Sequence, residues 1–184
     1  ALLVETDVVL ALTEYLRKAN MNGTFFVLGK DIQARLEERS VNSLQMLYAG
    51  QCVGVQGWEF RSHSHWQDWQ DSVRRSVELV KGKLPENYVP LFRPPQGQRR
   101  GDAEGFFRQQ GLQVALWDID PQDSGNRLKP EQSAQRVLTL MLLWRHGVIN
   151  FNAKQDGVKT AMPWLMAQTA QSGIGWGDCQ EAFR

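Results

Sequence analysis

The chain is poor in histidine and cysteine and has almost no net charge. Its 184 residues carry three His, two Cys and a formal net charge of +1. The charge balance points to no nucleic-acid partner and no membrane partner. Cys52 and Cys179 are too few to define a disulfide framework, and buried free thiols are expected. No apolar run reaches the roughly 18 residues that would span a bilayer as a helix. The longest stretch, 137–144, is interrupted by Thr139 and bounded by Arg136 and Arg145. No G-x-G-x-x-G follows an apolar run, so a dinucleotide site is unsupported. No signal peptide is visible, and the chain starts at Ala1 rather than Met, which leaves the removal of one open.

With 42% hydrophobic and 22% charged residues, the chain reads as a soluble globular domain, taken as a single domain over 1–184. Helical spacing of Val8, Leu12, Tyr15 and Leu16 predicts a first helix capped by Thr6 or Asp7. A second helix is expected from Asp31 through Ile32, Leu36, Leu44 and Leu47, ending at Gly50. Further helices are expected at 70–84, 102–110, 130–146 and 160–171. Short β-rich runs at 24–28, 52–56, the stretch before Arg93, 112–119 and 148–151 alternate with them. Such alternation implies βαβ units and a parallel sheet. About six units argue for a closed or nearly closed α/β barrel, with a doubly wound open sheet as the alternative. In a parallel barrel, function gathers at the carboxyl ends of the strands.

One of those ends is Leu91-Phe92-Arg93-Pro94-Pro95-Gln96-Gly97. Two prolines fix two φ angles, and the glycine allows the turn. Arg93 is thereby presented at a strand end, where a guanidinium can hold a carboxylate through paired hydrogen bonds. A proline-stiffened surface turn with an incidental arginine is the plainer alternative.

The order GTFFVLG (23–29), FRPPQG (92–97) and LWDID (116–120) resembles the polysaccharide deacetylase (NodB-homology) family, over about 6–178. The resemblance implies a distorted or incomplete parallel (β/α) barrel of NodB-homology type. It also implies a metal-dependent hydrolase of amide C–N bonds in N-acetylated glycan. Such chemistry needs a metal that polarises the carbonyl and activates water, a base and an acid, and dipoles that stabilise the oxyanion.

Several family positions are substituted. The family base and one metal ligand lie in a T-F-D-D-G motif that these residues lack. Residues 4–16 look like the helix that follows it, so the first strand either lies upstream of Ala1 or is missing. The two metal His of a G-N-H-x-x-S-H pattern correspond to Gln56 and Phe60. Gln is a poor zinc ligand and Phe is none. A register shift could bring His63 and His65 onto one strand face as ligands; the alternative is an exposed polar loop. The family acid, a His in an L-L-H-D pattern, corresponds to Asn152. An amide cannot serve as a general acid near neutral pH.

Two elements persist. Arg93 matches the arginine that orients the family base. Residues 117–123 match a W-D-x-D-x-x-D-W motif, with Ser124 in place of its last Trp. Arg93 is expected to pair with Asp120 or Asp123. Trp58, Trp66, Trp69 and Trp117 cluster at these strand ends, and flat aromatic faces suit stacking on sugar. The candidate sugar contacts are Trp58, Trp66, Trp117 and, on the proline turn, Pro95. Core packing is the favoured role for Trp117 and stays open beside sugar contact for Trp66 and Trp69, and Trp144, Trp164 and Trp176 are expected to pack within the fold. His146, near a helix C-terminus, is expected to interact with the helix dipole.

These substitutions favour a domain that binds N-acetylated polysaccharide or peptidoglycan with little or no deacetylase activity. An active deacetylase whose first motif lies upstream, a non-enzymatic carbohydrate-binding or scaffold domain, and a fold relative with unrelated function are the alternatives. No cofactor is expected, with zinc or another divalent metal required if the domain is active. The resemblance implies a periplasmic, cell-envelope or secreted location.

Overall fold

The computed structural model describes residues 2–62, 67–97, 100–123, 127–153 and 155–181, with the main chain alone for residues 2–7. His63, His65, Trp66 and Ser124 lie outside the described residues. In chain order the elements are α1 (Leu2–Lys18), β1 (Thr24–Val27), α2 (Gly29–Glu38), α3 (Val41–Leu47) and β2 (Cys52–Val55). There follow α4 (Trp69–Lys83), β3 (Tyr88–Phe92), α5 (Glu104–Gln109), β4 (Gln113–Val114), α6 (Pro130–Trp144) and α7 (Val158–Thr169). The chain divides into two compact units, each assembled from separated stretches.

The unit of Asn22–Leu116 and Asp178–Arg184 holds a parallel sheet in the order β1-β2-β3-β4. β1 and β2 run in register from Thr24 opposite Cys52 to Val27 opposite Val55. All four residues of β2 are buried, as a strand of a covered parallel sheet requires. Gly54 is there for space: a Cβ would lie 2.7 Å from Phe26 Cε1 and 3.0 Å from the Leu91 carbonyl oxygen. α4 turns Val73 and Val80 inward, both fully buried, as their spacing implies.

The single helix expected from Asp31 to Gly50 is two helices. α2 ends at Glu38, where Arg39 turns extended, and Ser40 caps α3 by accepting the Ser43 N–H at 3.2 Å. Asp31 sits in the first turn of α2, not at its cap. The expectation of free thiols is also corrected, because Cys52 and Cys179 form a disulfide across 127 residues of sequence. The Cys179 N–H donates to Asn22 Oδ1 at 2.8 Å, which holds the late segment beside the strand system. Two distant cysteines carry no spacing signal, so pairing could not be read from the chain.

The unit of Ala1–Met21 and Trp117–Gly177 contains α1, α6 and α7. α1 continues through Thr6 and Asp7, so neither caps it. Ile119, Ala134, Val137, Ala161 and Leu165 form a buried core, with Trp164 and Trp176 packed against it. Trp144 departs from the expected packing role: it is 47% exposed, beside exposed Leu142 and Leu143.

The strands expected at 112–119 and 148–151 are much shorter. Beyond β4, their remnant is a parallel bridge between Ile119 and Ile149. Side chains take over part of the ladder. The Val148 N–H donates to Asp118 Oδ2 at 2.9 Å, while Val148 O accepts the Asp118 and Ile119 N–H groups. Short polar side chains offer the backbone such alternatives to a regular ladder.

Candidate functional site

Arg93 follows β3 and extends its pairing, with its N–H donating to Val55 O at 2.9 Å. The turn beyond it closes through Gly97 N–H to Pro94 O at 2.9 Å, with Gln96 and Gly97 at positive φ of 59° and 70°. The Arg93 residue is only 6% exposed. Its Nε donates to Ala115 O at 3.0 Å and its Nη2 to Leu116 O at 3.2 Å. The guanidinium carbon lies 4.1 Å from the centroid of the Phe26 ring. Burial pushes its pKa down to about 10, so it stays protonated at neutral pH. Arg93 therefore bolts the exit of β3 to the segment leaving β4. Pro95 is buried in the same turn, so its ring packs within the fold and offers no face to a sugar.

Asp120 and Asp123, the expected partners of Arg93, belong to the other unit. Their carboxylates serve its main chain. Asp120 Oδ1 accepts the Gln122 N–H at 2.8 Å, which supports Gln122 at a φ of 55°. Asp123 Oδ2 accepts the Asn152 N–H at 2.8 Å. Arg136 Nε adds a bond to Asp120 O at 2.8 Å. The expected acid position, Asn152, and the expected acidic motif are thus brought together. Burial raises the Asp123 pKa, the hydrogen bonds from the Asn152 and Asp123 amides oppose this, and the Asp120 charge adds to it. Trp117, half-buried, opens this segment.

The loop after β2 carries the expected metal positions. Gln56 N–H donates to Val27 O at 2.9 Å, which holds its backbone in the sheet. Phe60 is 55% exposed and has no donor atom. Among the described residues, no group of three or more His, Cys, Asp or Glu is disposed to hold a metal ion. The donor chemistry of Gln56 and Phe60 does not fit the family's zinc site.

The aromatic candidates are mostly structural. The Trp58 N–H donates to Ser72 Oγ at 2.7 Å, and the Arg75 guanidinium carbon lies 4.0 Å from the Trp58 ring centroid. A Cβ at Gly29 would collide with the same ring, so Trp58 is held from two sides and is not an open sugar platform. Trp69 is 4% exposed and stands edge-on to Phe106 at 4.8 Å. The Ser72 and Arg75 contacts escaped sequence reasoning, because Ser and Arg near the start of an amphipathic helix look like ordinary solvated positions.

The polysaccharide deacetylase family model matches residues 4–115. The peptidoglycan-N-acetylmuramic acid deacetylase PdaC of Bacillus subtilis (strain 168) is 32% identical over 120 residues. That match covers 62% of this chain and 23% of the relative's length. A family 4 carbohydrate esterase (CE4) pseudoenzyme from Bacillus anthracis superposes with a TM-score of 0.79 at 18% identity, over 96% of this chain and 60% of its own. The family 4 carbohydrate esterase from Streptomyces lividans, in complex with acetate, gives 0.75 at 20% identity, over 94% and 85%. At these identities the likeness establishes the fold. It is α/β with parallel strands, consistent with a distorted (β/α) barrel of this type.

Proposed function

The chain belongs to the polysaccharide deacetylase family, and on that premise we propose that it binds N-acetylated envelope glycan with little or no deacetylase activity. The observation that carries this reading is the chemistry of Gln56, Phe60 and Asn152 at the positions where the family motifs place metal ligands and acid. When bound, a divalent metal would polarise the acetyl carbonyl and activate water. Phe60 offers it no donor, and an amide at 152 cannot protonate a leaving amine. Loss of a general acid or base alone costs on the order of a hundredfold or more.

The glycan we assign is peptidoglycan, in keeping with the activity that PdaC's name gives to that relative. The contacts we assign are Trp117, as a partly open aromatic face, with the side chains of Asp120, Asp123 and Asn152 around sugar hydroxyls. The disulfide suits an oxidising compartment, which supports a place in the cell envelope or outside the cell. Peptidoglycan sedimentation with wild type and Trp117→Ala tests the binding. Retention by wild type and loss in the variant is expected; no retention by wild type would overturn it.

A further inference from the structure

An open groove of about 390 Å³ runs along α4, lined by Trp58, Arg75, Glu78, Leu79, Gly82 and Lys83. Arg75, Leu79 and Gly82 follow helical spacing and so share one face. Small-ligand sites occupy about 300–1,000 Å³, so the groove has room for a saccharide unit. All six residues belong to the sheet-containing unit.

Two features mark it as more than a surface dent. Arg75 is stacked over Trp58 at 4.0 Å, which fixes the plane of its guanidinium. Among the described residues, its N–H groups meet no acceptor. A guanidinium with a fixed plane presents a ready fork for a carboxylate or phosphate. Gly82 is the second feature. It sits in the last turn of α4, one residue before the helix ends at Lys83. Nothing lies within 4 Å of where its Cβ would be, so the space beside it is open. Its effect is to keep the groove open. Arg75 and Lys83 against Glu78 leave the groove with one net positive charge.

We propose that this groove is a second saccharide site, one that holds the carboxylate of an anionic sugar on Arg75. The lactyl ether of a muramyl residue supplies that group, and N-acetylglucosamine lacks it. Leu79 would meet the apolar face of the ring, and Glu78 the hydroxyls. The proposal rests on the envelope-glycan reading for the saccharide class and for its probe.

Site-resolved NMR titration of the full chain tests it. The probes are a peptide-free muramyl-containing glycan tetramer, N-acetylglucosamine tetramer and a stem peptide alone. The muramyl probe should shift the amides of Leu79 and Gly82, and high salt should weaken the effect. Arg75→Gln should weaken binding at these amides at least about tenfold, as loss of a charge-assisted hydrogen bond implies. Gly82→Leu should do the same by filling the groove, with an unchanged or higher melting temperature. Equal shifts from the neutral tetramer, the same response from stem peptide alone, or no shift at α4 would each overturn the proposal. Shifts at Trp117 and Asn152 report separately on the site assigned above, so either assignment can fail alone.

Discussion

The main-chain N–H of Asn152 donates to Oδ2 of Asp123 at 2.8 Å. This bond joins the loop after Ile149 to the loop after Ile119, the two residues that form the parallel bridge. One loop carries Asn152, the amide expected at the acid position. The other carries the acidic motif. In this chain their observed relationship is structural, with a carboxylate satisfying a loop amide.

The Asp123 carboxyl gives a pH signature. Burial is the largest influence and raises its pKa above 3.8 in the folded state. The folded protein therefore binds more protons than the unfolded chain between 3.8 and the raised value. Stability should fall as pH rises through that window and level off above it. Asp123→Asn keeps an acceptor for the Asn152 N–H and removes the charge. Denaturant midpoints across the acid range should lose this slope in the variant, with neutral-pH stability equal or higher. An unchanged slope would move the titration to another group.

Arg93 should matter to folding. Arg93→Ala strips a donor from Ala115 O and another from Leu116 O and empties the space over Phe26. Unsatisfied buried groups cost about 1–3 kcal/mol each, so a loss of roughly 2–4 kcal/mol is expected. Arg93→Lys should recover only part of it, because an ammonium lacks the planar fork. A denaturant midpoint for Arg93→Ala equal to wild type would reject the structural role and leave ligand contact as the better explanation.

The disulfide should dominate stability. Closing a loop of 127 residues removes roughly 4–5 kcal/mol of unfolded-state entropy in the loop-closure model. Reduction, or Cys52→Ala with Cys179→Ala, should lower the unfolding midpoint accordingly. Thiol titration of denatured, unreduced protein should find no free thiol. Two free thiols there would show the pair is open.

Much of the fold was legible. Val8, Leu12 and Leu16 on α1, and Val73 and Val80 on α4, are buried as their spacing requires. The β-rich runs before Gly29, Gln56 and Arg93 are parallel strands, and the central run, β2, is buried along its whole length. The late strands are shorter than apolar periodicity predicts, because Asp118 bonds the backbone there in place of a regular ladder. The bonding partners at the strand ends are not legible in the same way. The sequence suggests a carboxylate for Arg93, and two of its bonds run instead to carbonyls brought close by the return of the chain at 115–116. The Trp58–Arg75 stack depends on how the loop after β2 folds back onto α4, and no local pattern encodes that.

Zinc should not be retained through Gln56. Protein dialysed against zinc and then against buffer should carry no stoichiometric metal that disappears in Gln56→Ala. Stoichiometric zinc lost in that variant would contradict the account. Zinc lost instead in His63→Ala or His65→Ala would show that the metal site uses shifted positions.

Acetate release tests the central claim most directly. Purified protein is incubated with N-acetylglucosamine oligomers and with peptidoglycan, with and without added zinc or cobalt, beside a heat-denatured control. The account predicts acetate indistinguishable from the control under every condition. Turnover above that control, dependent on the added metal, would contradict it and restore an active deacetylase.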